Sequence, residues 1–381
     1  MTQKILHVRC VNGYGGGPDK TVINSPRYYP EFGYSGLIAF LHPPGDPGIK
    51  EIRKRAEDAK CEALFIEDRG PSDFRILKKL VAIAKENKVD LWQSHDDKTN
   101  LLGLYVRRFH PMKLVSMGHG WGADLGLHPW KSRLYKSCSR FACRYYDGCI
   151  AVSEDIDSMF HSWGIPDCRR FFIPNAIDTD YFIRRHDQKK ARESIGHEST
   201  AQFLIGALGR LAPEKGFDRL IRVVRMVRDS GTMLELWIAG EGSRRSELQS
   251  LIESLGLESS VKLLGHQKDP RLFLECLDGF VLSSLAEGLP NVILEALSME
   301  TPVVATRVAG VPGVITDRKE GLLVDIDDVE GLAKSIQELE LSRSLGFELA
   351  KNGRKRMVEC FSFRERMRRV CEVYDTILQV K

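Results

Sequence analysis

A chain of 381 residues, 43% hydrophobic and 28% charged, has the composition of a soluble globular protein and is long for a single core, so two domains are expected. No apolar run approaches the ~18 residues of a spanning helix, and "MTQKILHV" enters a strand directly, which predicts a cytoplasmic protein without a signal peptide. The formal net charge of +4 lies wholly in residues 1–180, where 26 Lys+Arg stand against 22 Asp+Glu. Nine scattered cysteines, an odd total with no CxxC, read as reduced thiols, and the absence of HExxH and GxxxxGK[ST] leaves zinc-protease and P-loop readings unsupported.

The first predicted strand, "KILHVRCV", runs into "GYGGGPDKTVINSPRYY". Its consecutive glycines free backbone N–H groups for a phosphate ahead of a helix N-terminus. Pro18 stands where GxGxxG needs its last glycine, which disfavours a dinucleotide oxidoreductase. Strand "DLWQSH", helix "LLGLYVRRF" and strand "KLVSMGHG" follow, the last ending at His119. From Tyr105 to Tyr146 the chain holds eight basic residues (Arg107, Arg108, Lys113, Lys131, Arg133, Lys136, Arg140, Arg144) and one acid, Asp124, a local +7. Trp130, Leu134, Tyr135, Phe141 and Tyr145 lie among them, a mixture that fits an anionic membrane surface or lipid-linked substrate better than nucleic acid.

After "GCIAVSE" and "RRFFIPNAIDTDYF", the charged, strand-poor "RRHDQKKARESIGHEST" places a domain boundary between Ile177 and Gly196. The pattern then restarts with "AQFLIGALGRL", a helix from about Phe217, "LELWIAGEG", a helix from about Arg244, "VKLLGH", "DGFVLSS" and "PVVAT". Alternating strands and helices predict an α/β fold of two Rossmann-like, doubly wound parallel-sheet domains, with ligands beyond the carboxyl ends of the strands in a cleft between them. "GRLAPEKG" sets Arg210 and Lys215 around a turn, and "EGLPNVILE" sets Glu287 in a loop and Glu295 in the following helix, with Pro290 suited to its first turn. On these residues alone, an amphipathic helix with a thin solvated face also accounts for the two carboxylates.

Taken together, "GALGRLAPEKGFDRLI", "LWIAGEG", "VKLLGH", "SSLAEGLPNVILEALSMETPVVATRVAGVPGVI", "GGGPDK", His119 and "AVSE…IPNAIDTDYF" resemble the retaining glycosyltransferases of GT-B fold in glycosyltransferase family 4. The resemblance covers most of the chain. It implies an acceptor-side domain over 1–180, a nucleotide-sugar domain over 181–361, and a last helix, about 362–381, packing back on the first. It further implies that Glu295 binds the ribose hydroxyls and Glu287 the donor sugar. The loop Gly288, Leu289, Pro290, Asn291 would offer N–H groups to sugar and phosphate. Arg210 and Lys215 would hold the diphosphate, Gly16 and Gly17 would approach it, and His119 would face the donor sugar. Gly240, Glu241, Gly242 and His266 complete the implied donor site, His266 beside the loop that would read the base.

The resemblance implies catalysis without a metal or other cofactor, since two cations and helix N-termini can carry the charge of a departing nucleoside diphosphate. A UDP-sugar is the expected donor, with a GDP-sugar second, and a glycan or lipid-linked acceptor of surface polysaccharide or lipopolysaccharide synthesis is expected, with no nucleic acid. Peripheral membrane attachment would follow from the basic aromatic stretch. A nucleotide-sugar epimerase on the same fold is the alternative. The tripeptides "DID" at 155 and 325 and "DTD" at 178 raise a metal-dependent transferase, and none lies in the required context.

Overall fold

The computed structural model describes residues 2–13, 17–70, 73–119, 137–196, 202–267, 269–287, 289–308 and 310–379. It divides into two compact units, Met1–Pro174 with Arg366–Lys381, and Asn175–Glu365.

Among the described residues, the first unit holds seven parallel strands. They are β1 (Gln3–Cys10), β2 (Tyr34–His42), β3 (Ala63–Glu67), β4 (Leu91–Ser94), β5 (Lys113–Gly118), β6 (Gly148–Ala151) and β7 (Arg170–Phe172), in the order β3-β2-β1-β4-β5-β6-β7. β1 pairs with β2 from Gln3↔Tyr34 to Cys10↔Leu41 and with β4 from Ile5↔Leu91 to Val8↔Ser94. β2 and β3 add to the strands expected from sequence; Leu37 to Leu41 of β2 are all buried, as a strand covered on both faces requires.

Asp96 ends β4 with a capping box. Its carboxylate accepts from Thr99 N at 2.9 Å while Thr99 Oγ1 accepts from Asp96 N at 3.2 Å, starting the helix Asp97–Arg107. Such a cap stabilises by about 1 kcal/mol, and here it fixes the chain where β4 delivers His95. From the C-terminal helix Phe363–Gln379, Met367, Val370, Tyr374 and Ile377 are buried, and Ile377 lies so close over Gly148 of β6 that a Cβ there would stand 2.5 Å from its Cδ1.

The second unit holds six described strands, all parallel: β8 (Phe203–Leu208), β9 (Leu234–Ala239), β10 (Val261–Gly265), β11 (Gly279–Leu282), β12 (Val303–Thr306) and β13 (Leu322–Val324), in the order β10-β9-β8-β11-β12-β13. Their side chains alternate between two cores. Leu204, Trp237, Ala239, Phe280, Leu282, Val303 and Ala305 face one core with the helix Asn291–Ser298. Phe203, Ile205, Leu236, Ile238, Val281 and Val304 face the other with the helices Phe217–Asp229, Arg245–Ser254 and Val329–Leu341. This period of two, apolar on both sides, is why these strands read as unbroken apolar runs. β9 and β11 flank β8, so the chain order reverses between β8 and β11, and the loops leaving those two strands part at a topological switch point.

Candidate functional site

Four loops at the carboxyl edge of the second sheet carry the residues expected there: Arg210 and Lys215 after β8, Gly240 to Gly242 after β9, His266 after β10, and Glu287, Leu289, Pro290 and Asn291 after β11. Gly209 N donates to Ala239 O at 3.0 Å and Gly240 N to Gly265 O at 2.8 Å, so the ladder extends past the strand ends. Gly240 has φ +143°, and a Cβ there would stand 1.8 Å from Gly209 O. Glycine is therefore required for the β8 and β9 loops to touch. The 3-10 turn Pro213–Lys215 ends at Gly216, φ +62°, where a Cβ would lie 2.3 Å from Ser283 O. That close approach presses the β8 loop against the end of β11: Ser283 Oγ donates to Lys215 O at 2.9 Å and Leu285 N to Glu214 O at 2.8 Å.

Lys215 is thereby delivered to Glu287. Its Nζ lies 2.5 Å from Glu287 Oε1, and Ser284 Oγ donates to the same oxygen at 2.7 Å. The two side chains are 18% and 12% exposed. Thr306 Oγ1 of β12 donates to Ser284 O at 2.7 Å and holds the serine in place. With Oε1 doubly engaged, Oε2 is the carboxylate oxygen open to a hydroxyl.

Arg210 is not brought to this pair. Its Nη2 meets Glu214 Oε1 at 2.8 Å and its side chain is 74% exposed. A backbone hydrogen bond first, and Arg210 second, hold the Glu214 carboxyl below its ordinary range. Glu241 meets Arg245 at 3.2 Å and His266 is exposed. Glu295 sits in the helix Asn291–Ser298, partly exposed. Pro290 precedes that helix instead of occupying its first turn; its carbonyl accepts from Ile293 N at 3.1 Å, and no described side chain caps the end. The N–H groups of Asn291 and Val292, ahead of Ile293, are therefore left without a side-chain cap. Gly16 and Gly288 lie outside the described residues.

In the first unit, Gly17 opens the helix Gly17–Asn24, and Asp19 of that helix pairs with Arg9 of β1. Arg9 Nη1 donates to His95 O at 3.3 Å. His119, expected as a lone histidine, is the outer member of a column. Its Nε2 lies 2.9 Å from His95 Nδ1, and His95 Nε2 lies 2.9 Å from His7 Nδ1. The rings stack at 5.1 and 5.2 Å between centroids. Burial, with the charge of Arg366 second, lowers His7 to about 3; burial also pushes His95 and His119 well below the ordinary imidazole value. All three are neutral at physiological pH. His7 had a signal of its own, a polar residue centred in the buried run "ILHV".

Each DxD tripeptide is engaged in structure. Asp157 pairs with Arg170 at 3.5 Å, Asp325 with Arg307 at 3.3 Å and Asp327 with Arg219 at 3.1 Å, while Asp178 Oδ1 accepts from Asp180 N at 3.1 Å. The basic stretch is less positive than its count. Asp147, just beyond the counted window, meets both Arg107 and Lys113 at 3.4 Å. Two exposed aromatic pairs remain, Tyr105 with Phe109 and Phe141 with Tyr145, beside a hollow of about 420 Å³ lined by Leu104, Tyr105, Arg107, Arg108 and Tyr145. Asp124, Trp130, Lys131, Arg133, Leu134, Tyr135 and Lys136 lie outside the described residues. No helix among the described residues is long and apolar enough to cross a membrane.

Two doubly wound parallel sheets, with a lysine–glutamate pair at the switch point of the second, define an α/β protein of two Rossmann-like units. The chain belongs to the group 1 glycosyltransferases: residues 187–356 match the family model "Glycosyl transferases group 1" and residues 16–181 match "Glycosyltransferase Family 4". It is 39% identical to the lipopolysaccharide core biosynthesis glycosyltransferase LpsE of Rhizobium meliloti, over 42% of this chain and 46% of that protein. The chain thus spans about half the length of that relative. It is 24% identical to the UDP-Gal:alpha-D-GlcNAc-diphosphoundecaprenol alpha-1,3-galactosyltransferase of Escherichia coli, over 79% of each. Among solved structures, Anabaena HepE in complex with UDP superposes with a TM-score of 0.81 at 21% identity, covering 98% of this chain and all of that one, which shows a shared GT-B fold.

Proposed function

We propose that this protein is a retaining, metal-independent glycosyltransferase that moves a sugar from a nucleotide-sugar donor to a glycan or lipid-linked acceptor of surface polysaccharide or lipopolysaccharide synthesis. A UDP-sugar is the favoured donor and a GDP-sugar the second. The Lys215–Glu287 pair carries the reading. In the ligand-free protein each charge satisfies the other. A nucleotide sugar offers better partners to both, diphosphate to Lys215 and sugar hydroxyls to Glu287, so the donor exchanges one ion pair for two matched contacts. As the bond between anomeric carbon and diphosphate breaks, negative charge grows on the diphosphate, where Lys215, Arg210 and the open N-terminus of Asn291–Ser298 can stabilise it. Glu295 takes the ribose hydroxyls, and the loops bearing Gly240, Glu241, Gly242 and His266 complete the donor contacts. UDP in the HepE complex and UDP-Gal in the name of the Escherichia coli relative support the base assignment. The lipid diphosphate in that relative's name, with the exposed aromatic and arginine surface around Tyr105 and Tyr145, supports a lipid-linked acceptor and peripheral attachment. An epimerase is not favoured, because both matched family models are those of transferases.

Calorimetric and thermal-shift titration with UDP, GDP, ADP and their sugars, in the presence of a chelator, tests this. Ligand at 100 times its Kd should stabilise the second unit by about 2.7 kcal/mol, and UDP compounds should do so selectively. Folded protein stabilised by none of them, or only after metal is restored, overturns the reading.

A further inference from the structure

Inside the first unit, hydrogen bonds join His119, His95, His7, Tyr29, Tyr374 and Gln93 in one line, and the chemistry of the inner end sets its direction. Gln93 Nε2 lies 3.4 Å from Met117 Sδ, a sulfur that only accepts and that also takes Arg366 Nη2 at 3.1 Å. Gln93 Oε1 is therefore the atom turned to Tyr374, and an amide oxygen only accepts, so Tyr374 donates to it. Tyr374 has one proton, so across their 3.1 Å contact Tyr29 donates to Tyr374. Tyr29, having donated, accepts from His7 Nε2 at 2.6 Å. A neutral imidazole carries a single N–H, so His7 Nδ1 accepts from His95 Nε2, and His95 Nδ1 accepts from His119 Nε2, both at 2.9 Å. Reversing any one link would set two lone pairs or two protons face to face among buried groups.

We propose that Gln93, Tyr374, Tyr29, His7 and His95 are positioning residues that hold His119 with its proton on Nε2, so that Nδ1 presents a lone pair to the ligand. Burial keeps the column uncharged, which is the condition for the one-proton count at each ring. The direction of the chain is independent of the transferase reading. The ligand group it selects rests on that reading: a hydroxyl, which donates, is accepted at Nδ1, while a phosphate or carbonyl oxygen, which only accepts, is not. The helix Phe363–Gln379 acquires a chemical role, since its Tyr374 is the link to the anchoring amide.

The test is a long-range proton–nitrogen correlation spectrum of the full chain labelled on histidine, at neutral pH and without nucleotide sugar. His7, His95 and His119 signals are assigned by their loss in the single His→Gln variants. Each should appear as one neutral species protonated at Nε2. His119 found protonated at Nδ1, or charged, overturns the proposal. Tyr29→Phe removes both the acceptor of His7 and the donor to Tyr374, and should split His119 between its two neutral tautomers. A pure Nε2–H signal retained in that variant also overturns it. Tyr374→Phe serves the same comparison if Tyr29→Phe does not fold, and the wild-type spectrum decides by itself. With no donor in the sample, a failed transferase assay leaves the result unaffected.

Discussion

Lys215 and Glu287, contributed by the loops after β8 and β11, meet at 2.5 Å on the carboxyl edge of the second sheet, where the strand order reverses. Because the same Glu287 oxygen also accepts from Ser284, removing the lysine leaves the carboxylate one partner. Lys215→Ala should therefore cost about 1–3 kcal/mol of stability, which leaves the unit folded. Loss of its cation from the departing diphosphate should lower kcat by about 10²–10³. Steady-state kinetics beside urea unfolding separate the two effects, and a variant turning over like wild type removes Lys215 from the site.

Glu295 and Glu287 are predicted to read different halves of one donor. Glu295→Ala should weaken binding of UDP and UDP-sugar alike, by roughly 10–100-fold for a lost charged hydrogen-bonding group. Its partial exposure should leave the variant folded. Glu287→Gln retains a group for Ser284 and releases Lys215 from its ion pair, so it should raise UDP affinity, or at least not lower it, while weakening the UDP-sugar. Calorimetry on both variants with both ligands gives the comparison, and a common loss for both ligands in Glu287→Gln would refute the division.

Gly240→Ala puts a methyl group 1.8 Å from the Gly209 carbonyl oxygen at a φ of +143°. Both loops are backbone-paired to the ladder, so neither yields without breaking the bonds from Gly209 N and Gly240 N. The expected loss is about 2–4 kcal/mol, seen in calorimetry as a drop of roughly 5–10 °C for a unit of this size. Gly313→Ala, where a Cβ meets nothing within 4 Å, is the matched control. Equal behaviour of the two variants would contradict the steric account.

How much of this was legible in the sequence follows from where each partner sits in the chain. The strands of the second sheet are buried on both faces and read as apolar runs, and the loops that end them carry Arg210, Lys215 and Glu287, with Glu295 in the helix that follows the last of these loops. What pairs with what was not legible. Lys215 meets Glu287 only because Gly216 lets one loop lie on Ser283. The same turn carries Arg210 to Glu214 instead, so two cations that look equivalent in sequence differ in burial. The histidine column was hidden for a similar reason. β1, β4 and β5 are neighbours in the sheet and distant in the chain, so His7, His95 and His119 share no local pattern, and Tyr374 joins them from the far end. Asp147, one residue past Tyr146, offsets part of the basic stretch through Arg107 and Lys113.

The exposed pairs Tyr105–Phe109 and Phe141–Tyr145 with Arg108, Arg140 and Arg144 predict binding to vesicles containing anionic lipid at low ionic strength. Replacing Arg108 and Arg140 by Glu changes the local charge by four and should abolish flotation with such vesicles. Raising salt should weaken wild-type binding, because exposed charges are screened beyond a Debye length of about 8 Å at physiological ionic strength. Flotation unchanged in the double variant would mean that another surface holds the membrane.

The column in the first unit also makes stability depend on acid. His7 titrates at about 3 in the native chain and near 6.5 when unfolded. Between those values the unfolded state binds the proton and the native state does not, so stability rises with pH through this window and is fully present above about pH 6.5. At pH 5 the contribution of His7 alone should have fallen by about 2 kcal/mol, and His95 and His119, shifted the same way, add to it. The positive charges of Arg9 and Arg366 beside the column deepen the effect. Carboxylates elsewhere also contribute to acid sensitivity, so the informative quantity is a difference. Urea unfolding of wild type and His7→Gln at pH 8, 6.5 and 5 should show the variant losing about 2 kcal/mol less between pH 8 and pH 5, most of it below pH 6.5, whatever its stability at pH 8. Parallel curves for the two proteins would mean that His7 titrates alike in the folded and unfolded chain.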